Sequence, residues 1–242
     1  MMKGKRRKVL SFFILTLFLM GMLAGWSSGE SATVHDAEDV EKFYASSAED
    51  LDKEHAIYVN REERTVSVYA TVNGKYLHKP TRHGLNWVEG AYGDMAVFNG
   101  YASPVAFYEA LEDIGGNPAL EKGGEPGEAF KETDEGRFIK GDALEVNITW
   151  DGADDVYDMN EVMVDSTGKK INYHFGGNYE AAKDHMTGCF MCFDSCPVGI
   201  VSNASQPVGA FADGKAAFHG DPELLPEDGT PVIVTFRFVE SD

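Results

Sequence analysis

Cysteine is nearly absent from this 242-residue chain: there are three, all between positions 189 and 196. That is too few for a disulfide-stapled scaffold, and their confinement to one short stretch marks a local site. Basic residues are scarce too. Lys and Arg total 21 against 40 Asp and Glu, and five of the cations (Lys3, Lys5, Arg6, Arg7, Lys8) precede the first acid, Glu30. From residue 26 onward, 16 cations face 40 anions for a formal charge of −24, which excludes nucleic acid as a partner through a broad basic face. No complete phosphate loop or dinucleotide fingerprint is present, which argues against nucleotide chemistry. Ser195 lacks a nucleophile-elbow context, and no Ser/His/Asp arrangement follows from spacing, so no hydrolase is indicated. What remains is a chain with 43% hydrophobic and 12% aromatic residues, a composition that suits a globular protein.

The N-terminus reads as an export segment. The basic residues 3–8 precede an uncharged run from Val9 to Ala24, a positive n-region followed by an apolar h-region. The run lies between a signal peptide and the shortest bilayer-spanning helix. Either reading leaves positive charge in the cytoplasm and the rest of the chain on the extracytoplasmic side, at the membrane or secreted. Leu23-Ala24-Gly25 resembles the end of a bacterial lipoprotein signal, but Trp26 stands where the acylated cysteine would be. With no thiol there, residues 1–26 are a cleaved signal or an uncleaved anchor, and Trp26 at the membrane–water boundary favours the anchor.

Residues 27–54 are small, polar and acidic and are expected to form a tether; residues 55–242 form a single globular domain. Strand patterns dominate it. Val66, Val68, Ala70 and Val72, then Leu144, Val146, Ile148 and Trp150, then Val232, Val234, Phe236 and Phe238 recur with period two. Glu161–Asp165 and Ile171–Phe175 flank a turn and predict a hairpin. The Gly/Glu stretch 121–136 reads as one long surface loop. One helix begins at Ser103-Pro104, carries Phe107, Leu111 and Ile114 on one face and stops at Gly115; a second runs from an Asn178 cap to a Gly188 stop. The expected class is α+β and β-rich: a mainly antiparallel sheet or sandwich with one or two short helices.

The segment Thr187-Gly188-Cys189-Phe190-Met191-Cys192-Phe193-Asp194-Ser195-Cys196-Pro197 carries the strongest chemical signal. Three thiols spaced C-x2-C-x3-C-P can converge on one centre, and thiolates suit zinc or the iron of an iron–sulfur cluster. The spacing matches the last three ligands of a bacterial ferredoxin run, but Met186 occupies the place of the first. A cubane would then have one iron open to water, or held by a residue from elsewhere such as His185 or His83, which follows Arg82 in a turn after Pro80. An iron–sulfur centre implies electron transfer to a redox partner; zinc implies a Cys3His site. A disulfide between two of the three cysteines, or a thiol–disulfide pair of Cys189 and Cys192 resolved by Cys196, is the competing chemistry, and a non-catalytic surface binding module in which the cysteines only hold a loop is the third reading. His174, within a strand pattern, reads as structural or simply exposed. Phe175-Gly176-Gly177-Asn178 is explained by a tight turn, and the acids at 151, 154, 155 and 158 by a solvated one.

The stretches TGCFMCFDSCPVGIVSNA (187–204), TRHGLNW (81–87) and ASPVAFYEALEDIGGNP (102–118) resemble the YdjY-like domain family. These are largely uncharacterised bacterial proteins, often labelled ferredoxin-like and often exported or lipid-anchored. The resemblance spans about residues 55–240 and implies a single domain with the cysteines in its C-terminal third. It supports Cys189, Cys192, Cys196 and Pro197 as site residues and adds Arg82 and His83, with little mechanism. The missing lipid-attachment cysteine departs from lipid-anchored relatives.

Overall fold

The computed structural model describes residues 40–239. The export segment 1–26 and the tether up to residue 39 lie outside the described residues. Among those described, no helix is long and apolar enough to cross a membrane. The chain runs through β1 (Ile57–Asn60), β2 (Thr65–Val72), β3 (His83–Trp87), β4 (Ala96–Gly100), α1 (Pro104–Asp113), β5 (Phe130–Thr133), β6 (Gly136–Ile139), β7 (Ala143–Thr149) and β8 (Tyr157–Asp158). It continues through α2 (Met159–Val162), β9 (Met163–Asp165), β10 (Tyr173–Phe175), α3 (Tyr179–His185), β11 (Cys189–Cys192), β12 (Val201–Asn203), β13 (Phe218–Gly220) and β14 (Pro231–Phe238).

The β-rich class with short helices is present, but the main sheet is neither open nor a sandwich. It closes into an eight-stranded barrel in the order β2-β14-β7-β10-β12-β11-β3-β4, with β4 returning to β2. Closure depends on how β2 divides one edge. β1 pairs with its first half, Thr65 to Val68, and β4 pairs with Ala70, Thr71 and Val72, while β14 takes the other edge over its length. Period-two alternation says which face of a strand is buried and nothing about which edges meet, so the ring was not predictable from it. Two pairings, β3 with β4 and β11 with β12, are parallel; the other barrel pairings are antiparallel.

The three alternating stretches became β2, β7 and β14, with Val66, Val68, Leu144, Val146, Ile148, Val234 and Phe236 buried. The expected hairpin did not form. The turn after Asp165 is present, but β9 pairs with β13 and β10 pairs with β7 and β12. The expected surface loop at 121–136 holds a short 3-10 turn and enters the β5–β6 hairpin. That hairpin covers a small satellite core of Leu120, Ala129, Phe130 and Ile139. Within the stretch expected as a tether, Val40 and Phe43 are buried against the domain, and the Tyr44 hydroxyl donates to Ala106 O at 3.1 Å.

Helix α1 starts as its sequence predicts, with Ser103 Oγ accepting from Ala106 N, Pro104 in the first turn and Gly115 at φ +85° just beyond its end. It is buried nearly all round, as a helix packed into a core must be. Phe107 stacks on Phe190 of β11 at 4.8 Å and meets Phe236 of β14 at 4.7 Å. Those two strands sit on opposite arcs of the ring, so one helical side chain fills the barrel between them. Phe107→Ala is therefore expected to lower the unfolding free energy by about 3–5 kcal/mol. Urea denaturation checks this, and a loss under about 1 kcal/mol would mean the ring is not a central wedge.

Candidate metal centre

Strands β3 and β11 bring the chemistry together. They pair antiparallel, with His83 opposite Cys192 and Asn86 opposite Cys189. In a regular strand residues 189 and 192 would face opposite ways, because side chains alternate. The register shifts between Cys189 and Met191 and again between Met191 and Cys192, and such irregularities re-aim side chains. As a result His83, Cys189 and Cys192 present one nitrogen and two sulfurs all within 4.8 Å of one another. Cys189 Sγ lies 3.5 Å from His83 Nδ1. Cys196 comes from the loop after β11 and joins the other two cysteines in a buried cluster.

That loop hangs from Asn178. The residue before α3 adopts φ +50° and makes no capping bond to the helix with its side chain. Its amide Nδ2 donates instead to Cys196 O at 3.0 Å and Gly199 O at 2.8 Å. Ser195 is a second tie: its Oγ accepts from Ile139 N at 2.8 Å and donates to Asn203 O at 3.1 Å. A Cβ on Gly199 would stand 3.0 Å from Cys192 Sγ and 3.1 Å from Ser202 Oγ, so any side chain there would press on both.

The site is closed to solvent: Cys189, Cys192 and Cys196 are 1%, 0% and 3% exposed, and His83 is 8% exposed. The His83 ring stacks on Tyr92 at 5.6 Å, and Tyr92 is itself exposed. Its loop is stitched to the approach to β11 by Ala91 N to Met186 O and Tyr92 N to Thr187 O. Gly90 and Gly188 pass so closely that a Cβ on Gly90 would lie 2.5 Å from Gly188 Cα. Thus the cover over His83 and the entry to Cys189 form one clip.

The thiols are unequal. The hydrogen bond from Cys192 holds the Cys189 thiol well below the usual range; burial opposes this, and His83 and Thr187 reinforce it. Cys192 is pushed well above that range by its contacts with Cys189 and Cys196 and by complete burial. The pair is therefore polarised, with Cys189 giving up its proton more readily than Cys192. Beside them Arg82 Nη2 binds Asp194 Oδ1 at 2.8 Å. Burial pushes the Asp194 carboxyl up against the opposing pull of Arg82. Arg82, despite burial, is held upward by Asp194 and then by Cys196 and Cys192.

The structure thus brings His83 to the cysteines, while His185 ends α3 and its side chain lies outside what the structure describes. Gly188 adopts φ +84° and accepts from Trp87 N at 2.8 Å. Pro197 is half-buried beside Cys196. His174 is half-buried in β10, with Nδ1 2.8 Å from Gly141 O. The Gly176-Gly177 turn spends its N–H groups on His174 O and Ile200 O. Asn178, Asp194, Tyr92 and Ser202 were not anticipated. Of these only Asp194 carried a signal, as an acid set between two cysteines in an apolar stretch.

Comparison with known proteins agrees with the extent of this domain. The YdjY domain matches residues 57–237. "Uncharacterized protein YdjY" of Escherichia coli (strain K12) is 41% identical over 192 residues, covering 78% of this chain and 82% of that protein. No solved structure matches.

The role of Asn178 can be tested apart from any ligand. Asn178→Gly keeps the left-handed backbone accessible but strands two buried carbonyls, at about 1–3 kcal/mol each. The expected loss of unfolding free energy is about 2–4 kcal/mol by denaturant titration, whereas wild-type stability would show the Cys196 loop to be held by other contacts.

Proposed function

This chain belongs to the YdjY domain family, and we propose that it is an extracytoplasmic, membrane-proximal metal-binding protein whose three cysteines and His83 hold a single transition-metal ion. One observation carries this reading: a histidine nitrogen and two cysteine sulfurs lie within 4.8 Å of one another inside the protein. An ion bound to sulfur at about 2.3 Å in a tetrahedron places its ligand atoms about 3.8 Å apart, so this spacing needs only small adjustments. A four-iron cluster spreads its thiolates over separate irons and needs a wider cradle than thiols in mutual contact provide. The donor chemistry, soft sulfur with one imidazole, suits zinc.

The protein's part in such a centre follows from its residues. Cys189 is already biased to the thiolate that a metal requires. Cys192 must give up its proton on loading, as metal binding generally demands of a thiol. His83 is held flat by Tyr92 with Nδ1 toward Cys189. With Cys196 supplying a fourth donor, no position is left for water, and closed four-ligand zinc sites are structural rather than hydrolytic. Bound there, the ion would tie β3, β11 and the following loop into one unit.

Thiol–disulfide chemistry gains support from the unequal Cys189 and Cys192 thiols. The burial of both, at 1% and 0% exposure, favours the metal, because the disulfide of another protein cannot reach such a sulfur while a small ion can. Extracytoplasmic placement rests on the basic and apolar N-terminal segment.

Elemental analysis of the full-length protein, purified without oxygen, tests the reading. The expected result is one zinc per chain, or one cobalt after exchange with sulfur-to-cobalt absorption, and loss of the metal in Cys192→Ala. Iron with acid-labile sulfide would replace the single-ion centre by a cluster. Metal-free protein even under these conditions would sink it.

A further inference from the structure

Folded proteins leave few buried polar atoms without a hydrogen-bond partner, and each exception asks for a reason. Here three such atoms that can donate lie around the cysteines: Thr187 Oγ1, Ser202 Oγ and Arg82 Nε. Each belongs to a residue set against a different part of the cysteine segment. Thr187, 8% exposed, leads into β11 two positions before Cys189 and is fixed there by Tyr92 N donating to its carbonyl. Ser202, fully buried, pairs with Cys192 across the parallel β11–β12 ladder. Its Oγ and Cys192 Sγ face the same empty point above Gly199, at 3.1 and 3.0 Å. Arg82 accepts from Phe193 N at its carbonyl and has its Nη2 tied to Asp194, which sets its guanidinium against the segment that leads from Cys192 to Cys196 and leaves Nε without a partner there.

A thiol supplies its own donor, whereas a thiolate only accepts, so unpaired donors are useful to a sulfur in its anionic state. Three thiolates around a divalent ion carry one excess negative charge, and a dry interior can hold it only if donors surround the sulfurs. We propose that Thr187, Ser202 and Arg82 are positioning residues that give one hydrogen bond each to the thiolates of Cys189, Cys192 and Cys196 in the loaded centre. This deepens the metal-binding reading above and rests on it.

The test uses the full chain loaded with cobalt and titrated against zinc. Outer groups that orient metal ligands typically change affinity by about 10- to 100-fold. Ser202→Ala and Thr187→Val should each weaken cobalt binding within that range and shift the sulfur-to-cobalt absorption. Thr187→Ser, which keeps the hydroxyl, should retain both wild-type values, a rescue that a loss of packing alone would not give. Wild-type affinity and an unmoved absorption in both variants would overturn the proposal. If the wild-type chain takes up neither metal, the metal reading itself fails, and alkylation of the metal-free protein by iodoacetamide, resolved for each cysteine by mass spectrometry, decides the donor assignment. Ser202→Ala should then change the rate at Cys192 alone and Thr187→Val at Cys189 alone; equal changes at all three cysteines, or none, would overturn it.

Discussion

The ring of Phe107, wedged between Phe190 and Phe236, is the contact on which both the barrel and the site depend. A closed ring of eight strands needs a filled interior, and this chain supplies part of the filling from a helix. Phe190 lies between Cys189 and Cys192. Its attachment to α1 therefore fixes the strand that carries two of the three thiols, and the irregular pairing with β3 acts on a strand that cannot slide. Packing energy in the barrel is thereby converted into precision at the sulfurs.

Around that strand the protein accepts several local costs. Asp194 is completely buried with one charged partner, an arrangement whose attraction seldom exceeds the cost of removing both charges from water. Asn178 and Met186 hold left-handed backbone at the two ends of α3, where non-glycine residues are uncommon. Glycines 90 and 188 bring two backbones into contact. These features surround one place, and unfavourable local choices that cluster are the mark of a site rather than of scaffold. The paired Arg82 and Asp194 contribute no net charge, so they can polarise the sulfurs without adding a charge to be buried.

How much of this was legible in the sequence differs by level. The alternation at Val66, Leu144 and Val234 named three strands correctly, because burial of one face writes itself into every second residue. Ser103-Pro104 and Gly115 named α1, because caps are local chemistry. Closure of the ring was not legible: it depends on β2 sharing an edge between β1 and β4, a long-range pairing with no local signature. The failed hairpin after Asp165 has the same origin. A correct turn was present, but distant partners, β13 for one strand and β7 with β12 for the other, outweighed the local one. At the site the cysteines were plain from spacing, and His83 was singled out in a turn more than a hundred residues away. The supporting residues were not, since Asn178 looks like an ordinary helix cap until its amide is seen bound to the Cys196 loop.

That misreading shows what the loop needs. A side-chain oxygen at a helix start accepts from the backbone N–H groups it caps, whereas Asn178 uses its nitrogen to donate to carbonyls of another segment. α3 is only seven residues long and begins without a side-chain cap, so local helix stability has been given up for tertiary geometry. The Cys196–Gly199 turn has few other ways to satisfy two buried carbonyls, and an unsatisfied one costs more than a missing cap contributes. With Asn178 holding the Cys196 loop from one side and the stacked Tyr92 lying on His83 from the other, the cluster is positioned by residues outside it, so its geometry is a property of the fold around it.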